Sequence, residues 1–217
     1  MKKKILLSSM VTIVLCLCLI AGSTFALFTD REVMNIAVTS GTVDITAAIA
    51  NPVITSATPD GDGYAYPVQP VAVDDADGTF KGSFLNGGTV EYAVENDVPV
   101  LAISKITPGD AVKFQITGTN ESDVNIKYRC VIELVDGNKE FFDGKYGLQV
   151  IIDGVEYEYQ NGPATSDWVE LKFGASTDIL FHTVEIKLPI EAGNEYQGLE
   201  AKLNVTLEAV QGNANVK

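Results

Sequence analysis

The strongest constraint on this chain is a period of two. In residues 200–210, "EAKLNVTLEAV", Ala201, Leu203, Val205, Leu207 and Ala209 share one face, and Glu200, Lys202, Asn204, Thr206 and Glu208 share the other. Alternation of this kind fits a strand with one side on a core and one in water, and no helix can use it. "VNIKYRCVIEL" repeats the pattern with Val124, Ile126, Tyr128, Cys130, Ile132 and Leu134. "VEIKLPI" repeats it with Val184, Ile186, Leu188 and Ile190, and Pro189 in that run marks an edge position or the strand's end. "TVEYAVE", "AVKFQITG", "GLQVIIDG", "VEYEY" and "WVELKFG" are further strand candidates, and no 12-residue stretch carries a helical stripe.

Turn signals separate these runs: Pro108-Gly109-Asp110, Asp136-Gly137-Asn138, Asp153-Gly154 and Asn161-Gly162-Pro163. Asp153-Gly154 predicts a two-residue hairpin, because glycine takes the positive φ such a turn needs. About ten short strands at this spacing predict an all-β fold, a two-sheet antiparallel sandwich or else a barrel. Residues 51–98 have another texture. Pro52, Pro59, Pro67 and Pro70, with Pro99 at the border, alternate with "PDGDG" and "DDADG". They read as a surface excursion, partly extended and partly hairpin, in which "GTFKGSFL" and "GTVEYAVE" pair around Asn86-Gly87. No internal repeat and no second core is visible, so residues 27–217 are expected to form one domain.

The amino terminus has the layout of an export signal. Lys2-Lys3-Lys4 precede an uncharged run from Ile5 to Ala21, and small residues follow. Thr24 and Ala26 fit the −3 and −1 positions of a cleavage site, which places the cut before Leu27. An uncleaved anchor is the other reading, although Ser8, Ser9 and Thr12 interrupt the run. Cys16 and Cys18 lack the small residues expected before a lipidated cysteine. Loss of residues 1–26 removes three lysines and takes the formal charge from −14 to −17. Such a surface repels nucleic acid and anionic lipid. Cys130 is the one thiol left, so the mature domain depends on its apolar core rather than on a disulfide.

Catalytic signatures are sparse. The single histidine, His182, cannot supply the paired histidines of a zinc protease, and no HExxH occurs. A Ser-His-Asp or Cys-His arrangement would need His182 as base, yet Cys130 sits on an apolar strand face that predicts a buried, inert thiol. His182 therefore reads as an ordinary strand or loop histidine, the protein is not expected to be an enzyme, and no cofactor is implied. Asp60 and Asp62, and Asp74, Asp75 and Asp77, are the metal candidates. Their spacing fails the EF-hand pattern, which leaves either low-affinity calcium turns or solvated ones. Tyr64 and Tyr66, or Tyr157, Tyr159 and Trp168, offer a carbohydrate-binding face or plain cross-strand packing.

Three stretches resemble the TasA/camelysin family. "AGSTFALFTDREVMNIAVTSGTVDI" carries its signal end at Gly22 to Ala26, its aromatic-x-Asp step at Phe28 to Asp30, and its first strand at Thr39 to Ile45. "ISKITPGDAVKFQITGTNESDVNIKY" and "NEYQGLEAKLNVTLEAVQGNAN" are similar to its Pro-Gly-Asp segment and its closing strand. The resemblance implies a secreted jelly-roll sandwich, processed by a SipW-type signal peptidase and found at Gram-positive cell surfaces or in biofilm matrix. It further implies filaments grown by donor-strand exchange, self-association being the main partnership and other matrix proteins further partners. Carried onto this chain, the donor runs from Leu27 to about Ile36. The apolar residues of that region are Leu27, Phe28, Val33, Met34, Ile36 and Val38, and Gly41 to Ala48 would be the first internal strand. Residues 51–98 depart from the family pattern. The alternative is a surface-displayed calcium- or glycan-binding module. The family's metalloprotease label finds no supporting residues here. The end, "QGNANVK", carries no cell-wall sorting motif, which implies release or non-covalent retention.

Overall fold

A computed structural model describes residues 30–33, 38–40, 43–74, 78–95, 98–143, 146–157, 159, 162–174, 176–196 and 198–212. The strands, in chain order, begin with β1 (Asp30–Val33), β2 (Val38–Ser40), β3 (Val43–Thr55), β4 (Thr58–Asp60), β5 (Gly63–Ala65) and β6 (Val68–Gln69). Next come β7 (Val71–Val73), β8 (Phe80–Ser83), β9 (Thr89–Glu95), β10 (Val98–Ser104), β11 (Ala111–Asn120) and β12 (Ile126–Gly137). The last six are β13 (Gln149–Ile152), β14 (Val155–Tyr157), β15 (Ala164–Thr165), β16 (Val169–Leu171), β17 (Ser176–Lys187) and β18 (Glu200–Gln211). Two short 3-10 turns, Lys139–Phe142 and Asn194–Tyr196, complete the described elements. No helix among the described residues is long and apolar enough to cross a membrane.

Two antiparallel sheets make the sandwich. A nine-stranded sheet runs β15-β12-β18-β10-β9-β8-β7, with β16 also on β12 and β1 also on β18. A seven-stranded sheet runs β14-β13-β17-β11-β3-β2, with β6 also on β3. From β10 onward the chain changes sheet at nearly every connection: β10, β12, β15/β16 and β18 lie in one, and β11, β13/β14 and β17 in the other. That alternation is the jelly-roll wind expected from the resemblance.

The period-two faces are the inner faces. Ala201, Leu203, Val205, Leu207 and Ala209 are all buried, as are Ile126, Tyr128, Cys130 and Ile132 opposite them. Val112, Phe114, Ile116, Val184 and Ile186 close the core from the other sheet. Each fully buried aliphatic side chain is worth about 1.5–3 kcal/mol relative to exposure, and one continuous cluster of them replaces the missing disulfide. β17 ends at Lys187, two residues before Pro189, which has no N–H for a ladder. Asp153 (φ 52°) and Gly154 (φ 82°) make the predicted hairpin between β13 and β14.

Residues 51–98 divide into two parts. The first carries the small β4–β5 hairpin, with Tyr64 and Tyr66 about half exposed. The second is more than surface. β7, β8 and β9 extend the nine-stranded sheet, and Phe80, Phe84, Val90 and Tyr92 are buried in the common core. The β8–β9 pairing around Asn86-Gly87 has the register Ser83↔Thr89. The alternation in "TVEYAVE" carried the information, and the proline-rich approach concealed its destination.

Candidate functional site

Strand β18 has two flanks of different construction. On one, β12 pairs along nearly the whole strand, from Ile126↔Gln211 to Gly137↔Ala201, with one irregularity between Leu134 and Asp136. On the other, β10 pairs from Ser104↔Glu200 to Val100↔Asn204 and goes no further. The next residue of β10 is Pro99, which has no N–H to donate and cannot continue a ladder toward Val205. Beyond that break the flank is filled by β1, in the register Asp30↔Ala209, Arg31↔Glu208, Glu32↔Leu207 and Val33↔Thr206.

The chain therefore enters the fold as a short strand in one sheet and then changes layer. Four residues after β1, β2 pairs Val38↔Ile45, Thr39↔Asp44 and Ser40↔Val43 in the other sheet. Val33 and Val38, taken together from the sequence, belong to strands of different sheets. Leu27, Phe28, Met34 and Ile36 lie outside the described residues, as do Thr24 and Ala26 of the cleavage site. The strand expected from Gly41 to Ala48 coincides, from Val43 onward, with the first part of the longer β3, and Gly41 and Thr42 lie outside the described residues.

The Pro-Gly-Asp motif holds the opposite end of the sandwich. Pro108 and Gly109 (φ 85°) form the centre of a turn closed by Asp110 N–H to the Thr107 carbonyl at 2.9 Å. The Asp110 carboxylate accepts from both the N–H and the hydroxyl of Thr107 through Oδ2, each at 2.8 Å. Gly109 donates to the Leu188 carbonyl, and its own carbonyl accepts from Ala57 N–H. A Cβ at Gly109 would overlap Ala57 and Ile190. The motif is a junction tying β11 to the end of β17 and to the start of the excursion.

His182 is a core residue and belongs to neither of those ends. The register of β17 on β11 slips between Ile116↔His182 and Thr117↔Leu180, so Phe181 is the extra residue of a bulge and both it and His182 turn inward. His182 Nδ1 lies 2.7 Å from Asp153 Oδ2, while Asp153 Oδ1 accepts from Thr183 N–H at 2.8 Å. His182 Nε2 is buried with no hydrogen-bond partner among the described residues. Its ring meets Tyr128 edge-on at 5.3 Å. Burial, and secondarily the Asp153 charge, push the Cys130 thiol and the Tyr128 phenol upward. A fully buried, protonated thiol is a poor nucleophile. The dyad is a hairpin lock: it fixes the Asp153-Gly154 turn against β17.

The remaining candidates separate by burial. Asp60 and Asp62 lie exposed in the β4–β5 turn, and Asp74 accepts from Gly78 N–H in another turn. Asp75 and Asp77 lie outside the described residues, and no group of three metal-ligating side chains occurs among the described residues. Tyr159 stacks on Phe142 at 4.2 Å and its hydroxyl accepts from Leu134 N–H. Trp168 lies under the Arg129 guanidinium, 4.5 Å from the ring centre, with Arg129 paired to Glu208 at 2.8 Å. Those aromatics pack. Tyr64 and Tyr66 do not.

Sequence reasoning missed that Thr206–Ala209 pairs with β1 instead of β10, and with reason. Alternation reports which face a residue takes, and an unfinished flank is a property of the neighbouring strand. The one available signal was Pro99.

Residues 1–63 match a family model described as camelysin metallo-endopeptidase, which bears out the TasA/camelysin resemblance over the first of its three stretches. The matched region runs from Met1 through β1, β2, β3 and β4 to the first residue of β5. No curated protein matches the chain.

Proposed function

We propose, from this camelysin-type amino-terminal segment, that the protein is a secreted structural subunit of the cell surface or extracellular matrix. Residues 27–36, freed by a SipW-type signal peptidase, act as a donor strand between copies. Segment 30–33 leaves the flank of its own β18 and occupies residues 206–209 of the next copy, with the same register. Head-to-tail transfer of one element does not close on itself, so it builds a filament. Ladder hydrogen bonds supply the affinity and the pleat fixes the register.

The observation that carries this reading is the break at Pro99 and the four-residue strand that fills it. A four-residue ladder contributes modestly, since each hydrogen bond nets about 0.5–1.5 kcal/mol. Exchanging it for an identical ladder on a neighbour costs little. The role asks for no catalytic group. It leaves His182 and Cys130 as core residues, and it treats calcium at the acidic turns as incidental.

Electron microscopy of the concentrated mature chain, begun at Leu27, is the test. Filaments that vanish when residues 27–36 are deleted support the reading. Particles that stay monomeric with or without those residues contradict it.

A further inference from the structure

The outer face of the seven-stranded sheet carries a groove of about 790 Å³ that the donor-strand reading does not use. Its floor consists of two rows of side chains crossing adjacent strands. Thr55, Ala111, Lys187 and Gln149 are register neighbours in one row. Val53, Lys113 and Glu185 are neighbours in the other. Tyr66 borders the groove from the β3 side, Tyr146 from the β13 side, and the Pro189–Glu191 segment with the Gly109 turn forms a wall. Four strands at about 4.8 Å spacing give the floor a span of roughly 14 Å.

The chemistry of this lining is selective. Lys113 and Lys187 face Glu185, Glu191 and Asp110, two positive groups against three negative, on a chain of net charge −14. The one-charge negative excess, like the acidity of the whole chain, disfavours an anionic ligand. Lys113 and Glu185 are direct cross-strand neighbours, yet no ion pair joins them, which leaves donor and acceptor heads side by side and available. Asp110, a wall residue only 1% exposed, has no hydrogen-bond partner for Oδ1 among the described residues. The main-chain groups of the floor are spent in the ladders, so a peptide has no edge to extend here. What remains is a floor on which Thr55, Lys113, Gln149, Glu185 and Lys187 present donors and acceptors among the apolar Val53 and Ala111, bounded by two tyrosines. A phenol ring offers an apolar face to ring C–H groups while its hydroxyl stays wet.

We propose that this groove binds an uncharged or N-acetylated oligosaccharide, lying across the strands from Tyr66 to Tyr146. Sugar hydroxyls bridge the Lys187, Glu185 and Gln149 heads, and a pyranose ring stacks on Tyr66. The inference is independent of filament formation and applies equally to a monomer.

Isothermal titration of the mature chain with tri-N-acetylchitotriose, cellotriose and a tri-galacturonate tests it. Either neutral trimer is expected to bind, with the acidic trimer at least ten-fold weaker. Tyr66→Ala and Lys187→Gln should each weaken binding ten-fold or more, while Tyr64→Ala, a half-exposed tyrosine outside the groove, should leave it within two-fold. Absence of binding by both neutral trimers overturns the proposal. So does preference for the acidic trimer, capture of an unstructured peptide in place of sugar, or equal loss in the Tyr64 and Tyr66 variants.

Discussion

One side of β18 is held by a single long partner, β12, and the other is shared between β10 and a four-residue strand from the far end of the chain. Both sides use the same hydrogen bonds, yet they differ in what must move for the pairing to open. β12 contributes Ile126, Tyr128, Cys130 and Ile132 to the core, so separating it from β18 takes the sandwich apart. β1 is joined to the rest through a short linker and then β2 in the opposite sheet. The lesson is that a strand can be complete in its core and still be replaceable along one edge.

The largest expected effect is on the fixed flank. Ile132→Ala removes a fully buried side chain opposite Val205 and should cost about 2–5 kcal/mol in urea unfolding, with filament loss following loss of fold. A shorter chain begun at Met34 attacks the replaceable flank. Its stability should fall by about 1–2 kcal/mol, because ladder bonds are partly offset by the entropy of ordering four residues. Amide exchange should speed up selectively at Thr206–Ala209. Equal exchange along β18 would break the distinction between the flanks.

The third prediction uses pH. Cys130 has its folded value raised above the ordinary 9.0, so its contribution is fully present below pH 9 and is lost as pH rises above it. Stability should decline by up to about 1.4 kcal/mol per pH unit through this group above pH 9, and Tyr128, Tyr159 and Tyr196, all raised by burial, add to the decline above pH 10. Cys130→Ala should flatten the profile between pH 9 and 10. Smallest is Pro99→Val, which restores one N–H beside Val205. It should extend the β10 ladder, raise monomer stability by less than about 1 kcal/mol and lower filament yield, as measured by sedimentation.

The sequence made the faces legible because period two is a local property. β18, β12 and the end of β17 could be read directly, and the Asp153-Gly154 turn required nothing beyond two residues. The bulge at Phe181 could not be read, since two adjacent inward side chains break the alternation that reveals a strand. His182 therefore looked ordinary and proved to be the buried partner of Asp153. The pairing of residues 206–209 with β1 was hidden for another reason: it depends on where β10 ends, a hundred residues earlier. Tyr66 and Tyr146 line one groove on a sheet whose strand order no local pattern specifies. The outer rows beneath them were visible only as the polar half of each strand.

The central claim is that residues 30–33 of one molecule sit beside residues 206–209 of another. Mix two single variants of the mature chain, Val33→Cys and Thr206→Cys, which are register partners, and treat the assembled material with a short thiol-bridging reagent. Cys130, buried, stays out of reach. The account predicts covalent heterodimers in filaments and almost none in dilute monomer. Filaments that form from the mixture and yield no such heterodimer would contradict it.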